Sequence, residues 1–196
     1  LAPGGWLAVN RWLRLPPRDS LKLVATARAA LAASGIDDAW RRLALIRSWG
    51  TTTLLVKNGV IETEETRRIR SFADSRGFDL VYYPGMQRAE ANRFNILAAP
   101  LPHDGAVALL GPEARDFRRR YKFALQPASD DRPYFHDFFK WRSLSEVVAI
   151  SRLGGVVLVD WGHLILVATL VQAAVFSLAL ILAPLLVATR KAPRLG

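Results

Sequence analysis

Cysteine is absent from this 196-residue chain, and histidine occurs only three times. Without cysteine there is no disulfide framework, no thiolate metal site and no cysteine nucleophile, which fits a reducing compartment. His136 stands beside Asp137, but His103 and His163 are at no spacing typical of metal ligands, so we predict no metal site. A Gly-x-Gly-x-Gly pattern is also missing, and with it the Gly-rich loop that receives a nucleotide-type cofactor after a strand.

Charged residues are missing altogether from residues 164–188. At about 1.5 Å per residue, a helix of this length spans a hydrocarbon core of about 30 Å, so we predict one transmembrane helix in the lipid bilayer. Trp161 before this segment, and Arg190 and Lys191 after it, stand where membrane-interface residues are expected. The alternative is a fully buried core helix, which rarely runs this long without a charged residue.

Acidic residues are missing from the end of the chain. All 17 of them precede Trp161, whereas only three of the 27 basic residues follow it. The part before Trp161 therefore has an excess of basic residues, which favours anionic partners. A short basic helix predicted at residues 112–122 fits nucleic acid or anionic lipid headgroups. Because a transmembrane segment follows, we favour the headgroups, at up to about 1 kcal/mol per basic residue close to the surface.

Apolar strands and helices alternate before residue 126. The Pro-Gly-Gly turn at residues 3–5 leads into an apolar run typical of a central strand that is buried on both faces. Gly50 separates two further strands and predicts an antiparallel hairpin. The predicted strands cover residues 5–12, 43–49, 51–57 and 79–83, and the main predicted helices cover residues 19–34 and 62–76.

The helix ends and the remaining residues are less regular. Asp19 or Ser20 is expected to cap the first helix and Thr63 the second, because these side chains accept hydrogen bonds from free amide groups. Pro112 is expected at the first position of the basic helix. Residues 86–111 mix apolar and polar side chains without a period, so we interpret them as mostly loop.

Several motifs together resemble one family. LAPGG at residues 1–5 precedes the first strand, and RSWGTTTLLVKNG, FDLVYYPGM and DDRPYF follow at residues 47–59, 78–86 and 130–135, before the apolar run. This combination resembles the membrane-embedded spermidine synthase-like proteins of bacteria, which share the fold of S-adenosylmethionine-dependent methyltransferases. The resemblance implies an α/β chain in which a partial Rossmann-like methyltransferase sheet, with an antiparallel strand at its C-terminal end, is followed by a transmembrane helix.

The resemblance covers only the C-terminal half of the family's catalytic domain, so we interpret the chain as a fragment of a larger parent protein. Residues 1–125 are then the C-terminal half of the α/β domain. Residues 126–160 form an aromatic connector with a juxtamembrane helix, and residues 161–196 form the transmembrane helix and a basic tail.

For the parent, the resemblance implies a transferase that moves an aminopropyl or methyl group from decarboxylated S-adenosylmethionine or S-adenosylmethionine to a small amine or a similar nucleophile. No cofactor is expected on the fragment alone. The alternative is a catalytically degenerate, membrane-tethered scaffold or a transport-associated regulatory domain. We expect the bacterial inner membrane, with the domain in the cytoplasm where the cofactor is made. The positive-inside rule opposes this orientation, because it leaves Arg190, Lys191 and Arg194 outside.

Candidate substrate-binding residues lie where strands end. Asn10, Arg11 and Trp12 occupy the carboxyl end of the first strand, where open α/β sheets bind ligands. Asn10 suits a hydrogen bond to a substrate amine or hydroxyl, although an Asn at this position also terminates a strand by bonding its own backbone. Tyr82 and Tyr83 resemble family positions, and packing is the alternative role for both.

The DDRP motif lies near the end of the catalytic domain in the family that the sequence resembles. Asp130, Asp131 and Arg132 predict a charged turn, in which Arg132 can hold a carboxylate through two hydrogen bonds. We interpret this turn as a structural latch between domain and membrane rather than as an acid–base pair. Ser143 and Glu146 then form a capping-box pattern that predicts the juxtamembrane helix.

Overall fold

The computed structural model describes residues 1–140 and 161–191, and the side chains of residues 1–140 and 165–184. The chain divides into two units, Leu1–Ala149 and Ile150–Gly196. The strands are β1 (Trp6–Trp12), β2 (Leu43–Arg47), β3 (Thr51–Lys57) and β4 (Asp79–Tyr82). The helices are α1 (Asp19–Ala33), α2 (Thr63–Arg76), α3 (Leu101–Leu110), α4 (Ala114–Arg120) and, in the second unit, α5 (Trp161–Lys191), besides two 3-10 turns at Ala39–Arg41 and Arg88–Glu90. The predicted juxtamembrane helix from Ser143 lies outside the described residues.

The four strands form one sheet in the order β1-β3-β2-β4. β2 and β3 make the hairpin predicted around Gly50, and β1 pairs with β3 along its whole length. All three pairings are antiparallel, so β1 and β2, on either side of β3, run in the same direction. The mixed α/β class is confirmed. Among the described strands none pairs in parallel, so the Rossmann-like sheet stays a prediction.

Helices cover both faces of the sheet. Because successive strand residues point to opposite faces, Leu45 of β2 packs in the core with Leu21 of α1 and Leu109 of α3, whereas the neighbouring Ala44 packs with Ala73 of α2. All five of these side chains are buried. The first unit therefore has two apolar layers with the sheet between them, and helices α1 and α2 pack on the sheet as predicted.

The helix ends differ from the predicted caps. Glu62, not Thr63, is the N-cap of α2, and its backbone N–H donates to the Glu65 carboxylate at 2.8 Å. This is the reciprocal half of a capping box. At the other end Gly77 has a φ of 63°, the left-handed conformation that glycine adopts without strain. Arg18 precedes α1, which has no side-chain cap, so the predicted caps at Asp19 or Ser20 are also wrong.

β1 is an edge strand rather than the predicted buried central strand. Its apolar side chains are largely exposed, 38% for Trp6, 45% for Leu7 and 69% for Trp12. An apolar run indicates that both faces of a strand are to be buried, but it does not indicate which strands pair with its two edges. β3 covers one edge of β1, and no described strand covers the other.

The segment predicted as mostly loop contains a helix, α3. Pro102 lies within its first two residues, where a missing N–H costs nothing, so this proline starts the helix rather than breaking it. Gly105 sits where α3 crosses α1 closely, because a Cβ there would lie 2.6 Å from Leu21 Cδ1. The predicted start of the basic helix at Pro112 was also wrong, since α4 begins at Ala114 with Glu113 as its N-cap.

In the second unit, helix α5 is long enough and apolar enough to span a membrane. Its most apolar stretch is Ile165–Pro184, 20 residues with none buried within the structure. At about 1.5 Å per residue this stretch measures about 30 Å, the thickness of a hydrocarbon core. Pro184 lies inside the helix.

Candidate functional site

The carboxyl ends of β1 and β2 lie at the same end of the sheet because the two strands run in the same direction. Asn10, Arg11 and Trp12 are at this end, opposite Thr53, Thr52 and Thr51 of β3. A backbone bond from Leu13 N to Gly50 O, 2.8 Å, holds the end of β1 against the β2–β3 turn. The structure therefore brings these three predicted residues together with that turn, whose Trp49 is 79% exposed.

Asn10 lies beside an apolar groove on the α2 face of the sheet. This α2 groove has a volume of about 470 Å³ and is lined by Ile46, Thr53, Leu55, Arg68, Ile69, Phe72 and Phe78. Directly opposed residues of paired strands share a face, so the Asn10 side chain lies next to Thr53 at the edge of the groove. Within the described residues the exposed Asn10 amide has no hydrogen-bond partner, and β1 continues past it to Trp12.

Arg11 points to the other face, into a cluster of cations and rings. Three cations, Arg11, Arg18 and Lys22, contact the rings of Phe123, Phe135 and Phe138, and we call these six residues the cation–aromatic cluster. The Arg11 and Arg18 guanidinium carbons lie 5.3 Å from the Phe135 centroid and 5.0 Å from the Phe138 centroid. Lys22 Nζ lies 5.0 Å from the Phe138 centroid as well. Such contacts attach residues 134–138, which we call the aromatic segment, to the basic side chains. The contacts are stronger where water is excluded.

Lys22 is the buried centre of this cluster, with only 4% of its surface exposed. Its Nζ donates to the backbone carbonyls of Asp137, at 2.7 Å, and Tyr134, at 3.3 Å. Burial lowers the pKa of Lys22, and the charges of Asp137 and Asp19 oppose this shift. A charged lysine that donates to two carbonyls fastens the aromatic segment to α1.

Two of the three histidines, His103 and His136, have described side chains. His136 Nδ1 lies 3.7 Å from Asp19 Oδ1, and the ring of buried His103 hydrogen-bonds the carbonyl of Val81 at 2.8 Å. Within the part of the chain that the structure describes, no three metal-ligating side chains come together.

Tyr82 and Tyr83 are far from Asn10. β4 runs antiparallel to β2, so its carboxyl end is at the other end of the sheet, and two strands separate it from β1. The Tyr82 hydroxyl donates to Trp40 O at 2.8 Å and the Tyr83 hydroxyl to Glu90 Oε2. Burial raises the pKa of each tyrosine to about 12, with the Glu90 carboxylate adding to the effect at Tyr83. Both side chains are thus buried phenols with protein partners, at no common site with Asn10.

A buried ion pair holds the loop after β4, and the sequence analysis missed it. Asp79 Oδ2 lies 3.0 Å from Arg47 Nη2, and neither side chain is more than 2% exposed. Asp79 also accepts backbone N–H bonds from Arg93, Phe94 and Asn95 at 2.5–2.8 Å. Burial raises the pKa of Asp79, but the bonds from Phe94 and Asn95 and the Arg47 charge outweigh it and lower the pKa overall. One arginine inside the apolar run LALIR was the available signal for a buried partner.

Asp130, Asp131 and Arg132 lie on an exposed turn. Ser129 and Arg132 exchange backbone hydrogen bonds across it. Within residues 1–140 no ion pair joins Arg132 to either acid, so the predicted two-bond carboxylate contact is not formed there. The residues that follow are the ones fastened to the domain: Phe138 is 3% exposed and its carbonyl accepts from Ala124 N at 2.9 Å.

The predicted membrane-interface residues lie at the two ends of α5. The helix begins at Trp161 and ends at Lys191, directly after Arg190. A helix of this extent places both ends beyond the 20-residue apolar stretch.

Comparison with family models, with curated proteins and with solved structures finds no match to this chain. The fold and these sites define a mixed α/β unit with an apolar groove on one face of its sheet, on a chain that also carries one helix long enough to span a membrane.

Proposed function

We propose that the chain is the membrane-anchored, acceptor-binding part of a group transferase that moves an aminopropyl or methyl group onto a small amine or a similar nucleophile. The observation that carries the proposal is the position of Asn10, an exposed amide with no hydrogen-bond partner among residues 1–140, at the edge of the α2 groove. This amide lies near the end of the sheet at which β1 and β2 both finish. The motif resemblance supplies the reaction class.

The α2 groove suits the carbon chain of such an acceptor. Ile69, Phe72 and Leu55 offer apolar walls, and the volume of about 470 Å³ is within the range of small-molecule sites. The Asn10 carbonyl oxygen then accepts a hydrogen bond from the acceptor amine. The Arg68 guanidinium at the groove favours the uncharged form of a bound amine, which is the nucleophilic form, although its exposure and its pairing with the Glu64 carboxylate at 3.4 Å weaken the effect.

The residues of this chain do not fit the sulfonium donor itself. The turn after β1, residues 13–18, contains no glycine, and α1 starts without a side-chain cap. Arg11 and Lys22 are covered by Phe135 on that side of the sheet. In this proposal a further part of the parent protein binds S-adenosylmethionine or its decarboxylated form, and the present residues orient the acceptor. Orientation is the main requirement, because a sulfonium is a good leaving group.

The test uses membranes that contain the whole parent protein. Transfer of labelled methyl and aminopropyl groups to a panel of amines is measured for the wild type, for Asn10→Ala and for Gln126→Ala, a change to an exposed amide away from the groove. Loss of one hydrogen bond at the acceptor is expected to reduce transfer about tenfold in Asn10→Ala and to leave Gln126→Ala unchanged. No transfer by the wild type with either donor, or equal rates in both variants, contradicts the proposal.

The proposal places the first unit in the cytoplasm of a bacterial cell, with α5 in the inner membrane. Because the chain has no cysteine, Ser143→Cys and Thr189→Cys report the orientation in the intact parent. An impermeant thiol reagent added to whole cells is expected to label Thr189→Cys and not Ser143→Cys. The reverse pattern would place the domain outside and remove its access to a cytoplasmic donor.

A membrane-tethered scaffold or transport-associated regulatory domain is the second candidate. The cation–aromatic cluster favours it, because it closes the α1 face beside the end of β1 with the chain's own Phe135 and Phe138. A face closed in this way suits a structural or regulatory domain better than an enzyme that binds a second substrate there. The transfer assay distinguishes the transferase from the scaffold, since a scaffold transfers no group to an amine.

A further inference from the structure

A second cavity, of about 530 Å³, lies between α1 and the α3–α4 region. Three arginines line it: Arg28 from α1, and Arg115 and Arg118 from α4. The rest of the lining is mostly small or apolar, including Ala25, Ala29 and Ala32 of α1. The helix surface of α1 therefore leaves space here, and three guanidinium groups surround that space.

The positive charge of this cavity is not neutralised within the described residues. Asp116 is its one acidic lining residue, and the Asp116 carboxylate lies 3.5 Å from Arg119 Nη2, which is not part of the lining. In residues 1–140 the side chains of Arg115 and Arg118 have neither a hydrogen bond nor an ion pair. Three like charges brought together in this way repel one another, so an anion in the cavity lowers the free energy of the arrangement.

Arg28 is held in place for such a ligand. Its Nη1 donates to Leu109 O at 2.6 Å and to Gly111 O at 3.1 Å, at the end of α3. Its Nε and Nη2 make no hydrogen bond among the described residues and remain available. The charges of Arg28 and Arg115 add to burial in lowering the pKa of half-buried Arg118, as expected for guanidinium groups close enough to share one anion.

We propose that this cavity is a binding site for a phosphate group, with Arg28, Arg115 and Arg118 as its ligating side chains. Guanidinium groups bind phosphate through paired, charge-assisted hydrogen bonds. The volume exceeds that of one phosphate ion, so the alanines leave room for part of a carbon body. An anionic lipid headgroup and a free phosphorylated metabolite share this chemistry. The site is separate from the α2 groove and does not depend on the transferase proposal.

The test measures binding to the full 196-residue chain in a non-ionic detergent by calorimetry. The probes are inorganic phosphate and water-soluble dihexanoyl phosphatidic acid. Arg118→Gln is expected to weaken binding of either probe at least tenfold, because it removes a charged donor. Arg120→Gln, the same charge change on an exposed α4 residue outside the lining, is expected to change it less than twofold. Circular dichroism confirms that both variants are folded.

Ala29→Phe fills the cavity without changing the charge and separates the two sources. If it weakens dihexanoyl phosphatidic acid but not inorganic phosphate, the carbon body enters the cavity, as a lipid headgroup requires. If both probes bind alike and neither is affected, the site takes the phosphate alone. Both results support the site. Equal weakening by Arg118→Gln and Arg120→Gln, or no saturable binding of either probe to the wild type, overturns it.

Discussion

The Arg47–Asp79 pair predicts a large loss of stability on a single substitution. Asp79→Ala leaves the Arg47 guanidinium in an interior where it is 2% exposed, without its counter-charge. Removing one partner of a buried pair costs about 3–5 kcal/mol. The variant also removes the acceptor of the three backbone N–H groups at residues 93–95. At about 3 °C per kcal/mol for a unit of this size, the midpoint of thermal unfolding falls by roughly 10 °C or more.

The matched control is Asp74→Ala, because Asp74 also pairs with an arginine, Arg93, at 3.5 Å, but both groups are about half exposed. An exposed pair contributes about 0–1 kcal/mol. Urea unfolding followed by near-ultraviolet circular dichroism compares the two variants. Replacing both partners, Arg47→Met with Asp79→Leu, is expected to recover much of the loss, since no charge is then left buried alone. A loss for Asp79→Ala no larger than that for Asp74→Ala would refute the reasoning.

The pH dependence gives the same argument a second test. The pKa of Asp79 is lower in the folded protein than its ordinary value of about 3.9. A carboxylate with a lowered folded pKa stabilises the protein above its unfolded pKa, and the contribution is lost as pH falls through the folded pKa. The gap in stability between the wild type and Asp79→Ala should therefore be constant above about pH 5 and should narrow below about pH 4.

Three further predictions concern packing, the aromatic segment and α5. Gly105→Ala pushes a Cβ against buried Leu21 and is expected to destabilise the unit by about 1–2 kcal/mol in urea unfolding, whereas Gly50→Ala, with nothing within 4 Å, stays within about 0.5 kcal/mol. Lys22→Ala removes one ammonium group and its two hydrogen bonds to the aromatic segment, and is expected to speed amide exchange around residues 134–138 about tenfold or more; unchanged exchange there would contradict the fastening role. Val175→Arg, near the middle of the apolar stretch, is expected to make membrane insertion in a microsomal assay less favourable by about 2.5–3.5 kcal/mol, and failure of the wild-type segment to insert would argue that α5 does not cross the bilayer.

Local sequence patterns predicted most of the helices and strands. The features that were missed depend on contacts between residues far apart in the chain. Alternation and turn residues were enough for the hairpin at Gly50 and for the helix that ends at Gly77. Helix α3 was hidden because Pro102 and Gly105 normally signal loops; Pro102 is accommodated in the first turn of the helix, and the crossing with α1 explains Gly105. The same limit applies to β1, whose apolar residues cannot show which strand lies beside it.

The candidate sites also differ in whether they depend on local sequence or on contacts between distant residues. Asn10 became a candidate because the end of a strand is visible in the sequence, and the structure adds the groove beside it. Tyr82 is at the opposite end of the sheet because β4 pairs antiparallel with β2, which no local pattern indicates. The arginine cavity joins residue 28 to residues 115 and 118, a contact across almost 90 positions that depends on how α4 packs near α1.

The bond between Lys22 and the carbonyl of Asp137 joins residues 115 positions apart, which sets an order of events during synthesis. At about 5–20 residues per second, α1 leaves the ribosome roughly 6–23 s before the aromatic segment that covers it has been made. During that interval its basic and apolar side chains are open to chaperones and to other nascent chains. The covering segment is followed after only about 20 residues by α5. At these rates the covering segment and the start of α5 are made within about 1–4 s of each other, so closure of the domain overlaps in time with the synthesis of α5.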